Sequence, residues 1–124
     1  QEKVNLVQNC SEADLTNYYR YADLFVFPSL REGFGSPPLE AAILKTPVLT
    51  SIKDSLGEVT RGLLYQLDDP CDEHEMASKM SEILTNPPSE ENLEKIKDEL
   101  LLHYSIQNVG KRICDYIKEV SWKK

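Results

Sequence analysis

Four short runs rich in β-branched and aromatic residues punctuate this chain: VNLV at 4–7, LFVF at 24–27, PVLT at 47–50 and LLYQ at 63–66. Between and after them stand stretches whose apolar residues recur every three or four positions. A chain that alternates these two periods buries both kinds of apolar surface by laying the strands side by side, in parallel, under crossover helices. The fold class is therefore read as α/β: one unit spanning residues 1–124, with an open parallel sheet of about four strands and helices on both faces.

Local signals mark the elements. Ser11, Glu12, Ala13 and Asp14 offer a helix start ahead of Leu15, Tyr18, Tyr19 and Ala22 at helical spacing. The unbroken apolar run at 24–27, stopped by Pro28, has the pattern of a strand buried on both faces. Pro37 and Pro38 suit the first turn of a helix continued by LEAAIL at 39–44, because N–H groups there have no intrahelical partner. The stretch 51–62 is turn-rich, and Asp69 with Pro70 ends the fourth strand. Three helices are predicted after it: about 73–84 with Met76, Met80, Ile83 and Leu84 on one face, about 90–102 with Leu93, Ile96, Leu100 and Leu101, and about 106–120 with Val109, Ile113, Tyr116, Ile117 and Val120.

Composition narrows the function classes. With 124 residues and 40% hydrophobic content, one domain can bury a core without disulfide or metal staples. A net charge of −7 argues against a general grip on nucleic acid or anionic lipid, which needs a basic surface. Most of the net negative charge lies within 71–99 and reads as the solvated faces of two helices. Cys10, Cys71 and Cys114 are odd in number and outside any CxxC pairing, which fits free thiols in a reducing, cytoplasmic setting. No apolar run approaches the ~18 residues that span a bilayer. Cys71 and His74 are spaced like two metal ligands, but with no second pair a metal site is not expected. His103, ahead of a turn, is assigned no special role.

In an open parallel sheet ligands bind beyond the carboxyl ends of the strands, so the loop 29–36, between the second strand and a helix N-terminus, is the candidate site. Gly33 and Gly35 let backbone approach a ligand closely, and Ser36 is placed to cap the helix. Free N–H groups and the positive end of the helix dipole favour a phosphate there. A bare G-x-G turn is also an ordinary strand-to-helix connection; two carboxylates, Glu32 and Glu40, shift the balance. Ionised carboxylates only accept hydrogen bonds, so beside a phosphate they suit the hydroxyl donors of a sugar and a ribose.

The stretch EGFGSPPLE at 32–40 resembles the E-x7-E signature of glycosyltransferase family 4. YADLFVFPS at 21–29 is similar to that family's A-D-x-x-V-x-P-S stretch, TPV at 46–48 to its G-T-P-V, EV at 58–59 to its later E-V, and YSI at 104–106 to the F-S-W before its last helix. The resemblance implies a Rossmann-like half-domain, part of the C-terminal domain of a GT-B fold, in an enzyme that transfers a sugar from a nucleoside-diphosphate sugar to an acceptor with retention of configuration. It implies that Glu32 lies by the donor sugar and diphosphate as an orienting catalytic residue, that Gly33, Phe34, Gly35 and Ser36 contact the donor, and that Glu40 binds ribose hydroxyls. Neither cofactor nor metal is implied.

Departures accompany it. Lys45 stands where the family has glycine at the end of a helix, and a left-handed conformation there costs about 1 kcal/mol. Gly57 replaces the proline usual before Glu58. The basic residues that grip the diphosphate and the N-terminal acceptor domain are not in this sequence, and Arg31 is the only base in the signature loop. The partner implied is that acceptor domain, in cis or as a separate chain, and the 124-residue chain alone is expected to be inactive. The alternative is a free-standing, non-catalytic half-domain acting as a protein-interaction or nucleotide-binding module.

Overall fold

The computed structural model describes residues 3–30, 36–51 and 60–105, together with 107, 110, 111, 113–115 and 118. In chain order the elements are α1 (Glu12–Tyr21), β1 (Phe25–Phe27), α2 (Ser36–Ile43), β2 (Val48–Ser51), β3 (Tyr65–Leu67), α3 (Glu73–Thr85) and α4 (Glu90–Tyr104). Three of the helices open on side-chain caps, of which the sequence reading named the one at Ser11. Asp14 N–H donates to Ser11 Oγ at 3.1 Å, Asp72 Oδ1 accepts from the N–H groups of His74 and Glu75, and Ser89 Oγ accepts from Asn92 N–H. Each satisfies an N–H that the helix itself leaves unpaired.

The sheet is parallel, in the order β1-β2-β3, with Phe25 opposite Val48 and Leu49 opposite Tyr65. Among the described residues it has three strands, not about four. VNLV at 4–7 is not paired into it, and Val4 and Leu6 stand 80% and 86% exposed. β-branched composition favours an extended backbone, but a strand exists only where a neighbour takes up its N–H and C=O groups. The same lack of a second neighbour makes β1 an edge strand here, half buried throughout rather than covered on both faces. The strand buried at every position is β2, between its two partners.

Alternation along β2 sorts the core into two layers. Val48 joins Tyr19, Leu39, Ala41, Ala42, Leu64 and Leu100, so α1, α2 and α4 cover one face. Leu49 joins Leu67 and Ile83 with Val26, Met76 and Met80 beside them, so α3 covers the other. Helices thus lie on both faces, as the alternation required. The buried stripes are narrower than the spacing suggested: Tyr18, Leu84 and Leu101 are exposed, one residue around from the buried Tyr19, Ile83 and Leu100, and Leu15, a turn before Tyr19, is exposed as well. Beyond α4, residues 107, 110, 111, 113–115 and 118 are helical, but Ile113 is 54% exposed rather than buried. Val109, Tyr116, Ile117 and Val120 lie outside the described residues.

The end of α2 carries the departure at Lys45. Its φ is +62°, the left-handed region, and the chain reverses with Thr46 N–H on Ala41 O and Lys45 N–H on Ala42 O, both at 3.0 Å. This is the Schellman pattern, in which glycine is usual because it has no Cβ to clash. A lysine has compensation that glycine lacks: its Nζ lies 2.5 Å from Glu90 Oε1 and 3.3 Å from Glu94 Oε2, both on α4. Hydrogen bonds to Glu90, then Glu94, hold the ammonium pKa above its ordinary value. Near the other end of α4, Arg61 Nη1 lies 2.7 Å from His103 Nδ1. Arginine can only donate, so His103 accepts and ties the turn before β3 to α4, a role its sequence position did not suggest.

Candidate functional site

β1 ends at Phe27 and the chain leaves the sheet through Pro28, Ser29 and Leu30; α2 begins at Ser36. Two buried hydroxyls on β2 hold this exit. Thr50 Oγ1 donates to Phe27 O at 3.1 Å, and Ser51 Oγ donates to Ser29 O at 2.5 Å. The carboxyl rim of the sheet is therefore laced by side chains from the central strand, which fixes where the loop starts. Sequence reasoning missed both residues, because a Thr-Ser pair at a strand end has no distinctive spacing.

Of the predicted site residues, Glu32, Gly33, Phe34 and Gly35, with Arg31 beside them, lie outside the described residues, as do Gly57, Glu58 and Val59. Ser36 is the first residue of α2 rather than a cap preceding it, and its side chain also lies outside the description. Helix α2 differs from α1, α3 and α4 in having no acidic residue in its first turn, so no carboxylate within that turn offsets the positive end of its dipole. Pro37 and Pro38 remove two of the four N–H groups a helix normally presents. Those of Ser36 and Leu39 are left at this end.

Glu40 is exposed on the second turn of α2. Side chains on a helix tilt toward its N-terminus, which favours reach toward the sheet rim. Its carboxylate lines an open groove of about 390 Å³ between α1 and α2, shared with Glu12, Leu15, Thr16, Tyr19, Ile43 and Leu44. Tyr19, 6% exposed, lines the same groove, and its phenol pKa is pushed up to about 12, first by burial and then by the nearby Glu40 carboxylate. The Tyr19 ring meets Phe25 edge to face, with centroids 5.1 Å apart at 84°, and its backbone carbonyl accepts from the Thr46 hydroxyl.

This groove has two carboxylates and two hydroxyls over an aliphatic floor and no basic side chain in its lining. Such a surface accepts hydrogen bonds from ligand hydroxyls and does not attract phosphate. Glu12, Thr16 and Tyr19 were not candidates from sequence; Tyr19 was read only as part of an apolar helix face. A more enclosed hollow of about 150 Å³, lined by Ala42, Pro47, Val48, Leu64, Leu93 and Ile96 among others, opens at the amino ends of β2 and β3. That is the opposite end of the sheet from the loop. Cys71, just before α3, and His74, in its first turn, are exposed, and the N–H of each is taken by an aspartate, Asp69 and Asp72 respectively. Among the described residues no three His, Cys, Asp or Glu side chains are grouped to hold a metal, and no helix is long and apolar enough to cross a membrane.

The family described as "Glycosyl transferases group 1" matches residues 1–99. Among similar curated proteins is the O-antigen chain mannosyltransferase RfbU of Salmonella typhimurium, 30% identical over 126 residues that cover 96% of this chain and 32% of that protein. The serotype-specific mannosyltransferase WbdA of Escherichia coli is 41% identical over 76 residues, 61% of this chain and 9% of that protein. The D-inositol 3-phosphate glycosyltransferase of Thermobifida fusca is 34% identical over 85 residues, 68% of this chain and 20% of that protein. The match to RfbU thus spans about a third of that protein, and those to the other two a smaller share. No solved structure matches.

Proposed function

This chain belongs to the glycosyl transferases group 1 family, and we propose that it forms the donor-binding part of a retaining, family 4 enzyme of the GT-B fold whose acceptor domain lies on other sequence. The observation that carries this reading is the placement of Glu40: an exposed carboxylate in a hydroxyl-accepting groove, one turn into a helix whose first turn contains no acidic residue. Its location suits a ligand with phosphate at one end and ribose hydroxyls beside it.

In this reading the donor diphosphate sits against Gly33, Phe34, Gly35 and Ser36 at the α2 start, and Glu40 accepts from the ribose. Glu32 orients the donor sugar. Rate enhancement comes from positioning and from stabilising charge on the departing diphosphate, so neither a metal nor a cofactor is required. The setting is cytoplasmic. RfbU and WbdA are mannosyltransferases by name, which makes a mannosyl donor the first to try.

The test is calorimetric titration with uridine, guanosine and adenosine diphosphates, on the wild-type protein and on Glu32→Ala and Glu40→Ala. Weak binding that both variants lose supports the reading. A folded protein that binds none of the three refutes it and favours the non-catalytic module. Sugar transfer by the 124-residue chain alone would overturn the division into donor and acceptor parts.

A further inference from the structure

β2 is buried at every position, yet its chemistry changes along its length: Val48 and Leu49 are apolar, whereas Thr50 and Ser51, at the carboxyl end, carry hydroxyls and are 0% exposed. A hydroxyl taken out of water costs free energy unless it finds a partner. Both partners lie where the chain leaves β1: Phe27 O accepts from Thr50 at 3.1 Å and Ser29 O from Ser51 at 2.5 Å. The two carbonyls are not equivalent. Phe25 N–H donates to Pro47 O, so by the two-residue alternation of a strand Phe25, Phe27 and Ser29 direct their backbone groups toward β2. Phe27 lies inside the paired register, opposite Thr50, but Ser29 lies two residues past the last paired position. There the Ser51 side chain donates to it and carries the pairing one step beyond the sheet.

We propose that Ser51 is a positioning residue for donor binding: its hydroxyl fixes the chain at Ser29, and with it the direction in which the strand-to-helix connection sets out toward α2. The inference rests on the reading of that connection as the diphosphate seat. Pro28, between the two anchored carbonyls, has its φ fixed by its ring, so the exit from Phe27 to Ser29 is restrained at both ends and in the middle. Leu30, the next residue, is already 55% exposed. At the far end the connection meets α2, whose Leu39, Ala41 and Ala42 are packed in the core. A phosphate seat made of backbone N–H groups acts through where those groups point, and a segment held at its root loses less freedom when a ligand orders it.

Ser51→Ala removes the hydroxyl and little else. Val48→Ala is the control: it deletes buried methyl groups at the amino end of the same strand, loosening the core away from the exit. Calorimetry on the folded proteins compares the tightest-binding nucleoside diphosphate with its monophosphate. The expected result is that Ser51→Ala weakens the diphosphate about three- to tenfold, the scale of the ordering cost of one immobilised group, and narrows its advantage over the monophosphate. Val48→Ala lowers the urea midpoint but keeps both affinities. Glu40→Ala weakens the two ligands alike, since both carry ribose. Ser51→Cys, which keeps a weak S–H donor, falls between wild type and Ser51→Ala, and it carries the same comparison if the alanine variant does not fold.

Unchanged diphosphate affinity in the Ser51 variants, or weakening that Val48→Ala reproduces, overturns the proposal. So does equal weakening of diphosphate and monophosphate by Ser51→Ala, because the effect then does not act on the phosphate seat. With Glu40→Ala still impaired, each of these results leaves the donor-binding reading intact. A wild-type protein that binds no diphosphate refutes that reading, and the positioning role fails with it.

Discussion

Lys45 allows backbone strain and side-chain ion pairing to be measured apart. Lys45→Gly and Lys45→Ala both delete the ammonium that meets Glu90 and Glu94, so those pairs cancel when the two variants are compared. What remains is the cost of a Cβ at φ +62°, about 1–2 kcal/mol for a left-handed residue. Against it stands the greater freedom of glycine in the unfolded chain, about 0.4–1 kcal/mol. The glycine variant is therefore expected to be the more stable by roughly 0.5–1 kcal/mol. With a urea m-value of about 1–3 kcal/mol/M, that is a midpoint difference of a few tenths of a molar, readable by circular dichroism. An alanine variant equal to or more stable than the glycine one would refute the argument, since it would mean the turn relaxes out of the left-handed region. Comparing wild type with Lys45→Ala then isolates the exposed ion pairs, and their contribution should shrink in 1 M salt.

Four further predictions follow from the same packing. Leu100→Ala, at a fully buried position between α4 and α2, should lower unfolding free energy by about 2–5 kcal/mol, whereas Leu6→Ala at 86% exposure should stay within about 0.5 kcal/mol; urea titration decides. Thr46→Val removes the buried donor to Tyr19 O and should cost about 1–3 kcal/mol by the same measurement. Glu75 accepts from the N–H groups of Asp68 and Asp69 at 3.0 Å, and these bonds, that to Asp69 first, hold its pKa below the ordinary 4.5. Its stabilisation is therefore present above pH 4.5 and lost as pH falls through the lower folded value, and Glu75→Gln should flatten the acid limb of a urea-midpoint profile. Tyr19 has the opposite sign: a phenol raised from 10 to about 12 stabilises fully below pH 10 and loses that contribution as pH rises through 12. Tyr19→Phe should accordingly weaken alkaline destabilisation in that window.

Much of the local architecture was legible because its causes are local. Ser11 caps its helix because a short polar side chain reaches an N–H three residues on, and that distance is set by the chain itself. The parallel sheet followed from alternating periods, and the left-handed cost at Lys45 followed from its place at a helix end. Where two residues compete for one buried stripe, as Ile83 and Leu84 do, periodicity alone cannot choose between them, because they differ by a single step around the helix. The signature glutamates stood out as candidates, but spacing along the chain does not show that Glu40 shares a groove with Glu12, Thr16 and Tyr19 of another helix.

Sequence alone determined the α/β class, the cap at Ser11, the positions of β1, β2 and β3 and the candidacy of the loop at 29–36, because strand period, capping and turn chemistry act within a few residues. Only the tertiary structure decided which strand is central, that VNLV at 4–7 stays outside the sheet, that Lys45 reaches α4 and that Tyr19 and Glu40 line one groove. Each of these depends on the pairing of segments distant along the chain. Such pairing is selected by the packing of the whole core, and no local window contains that information.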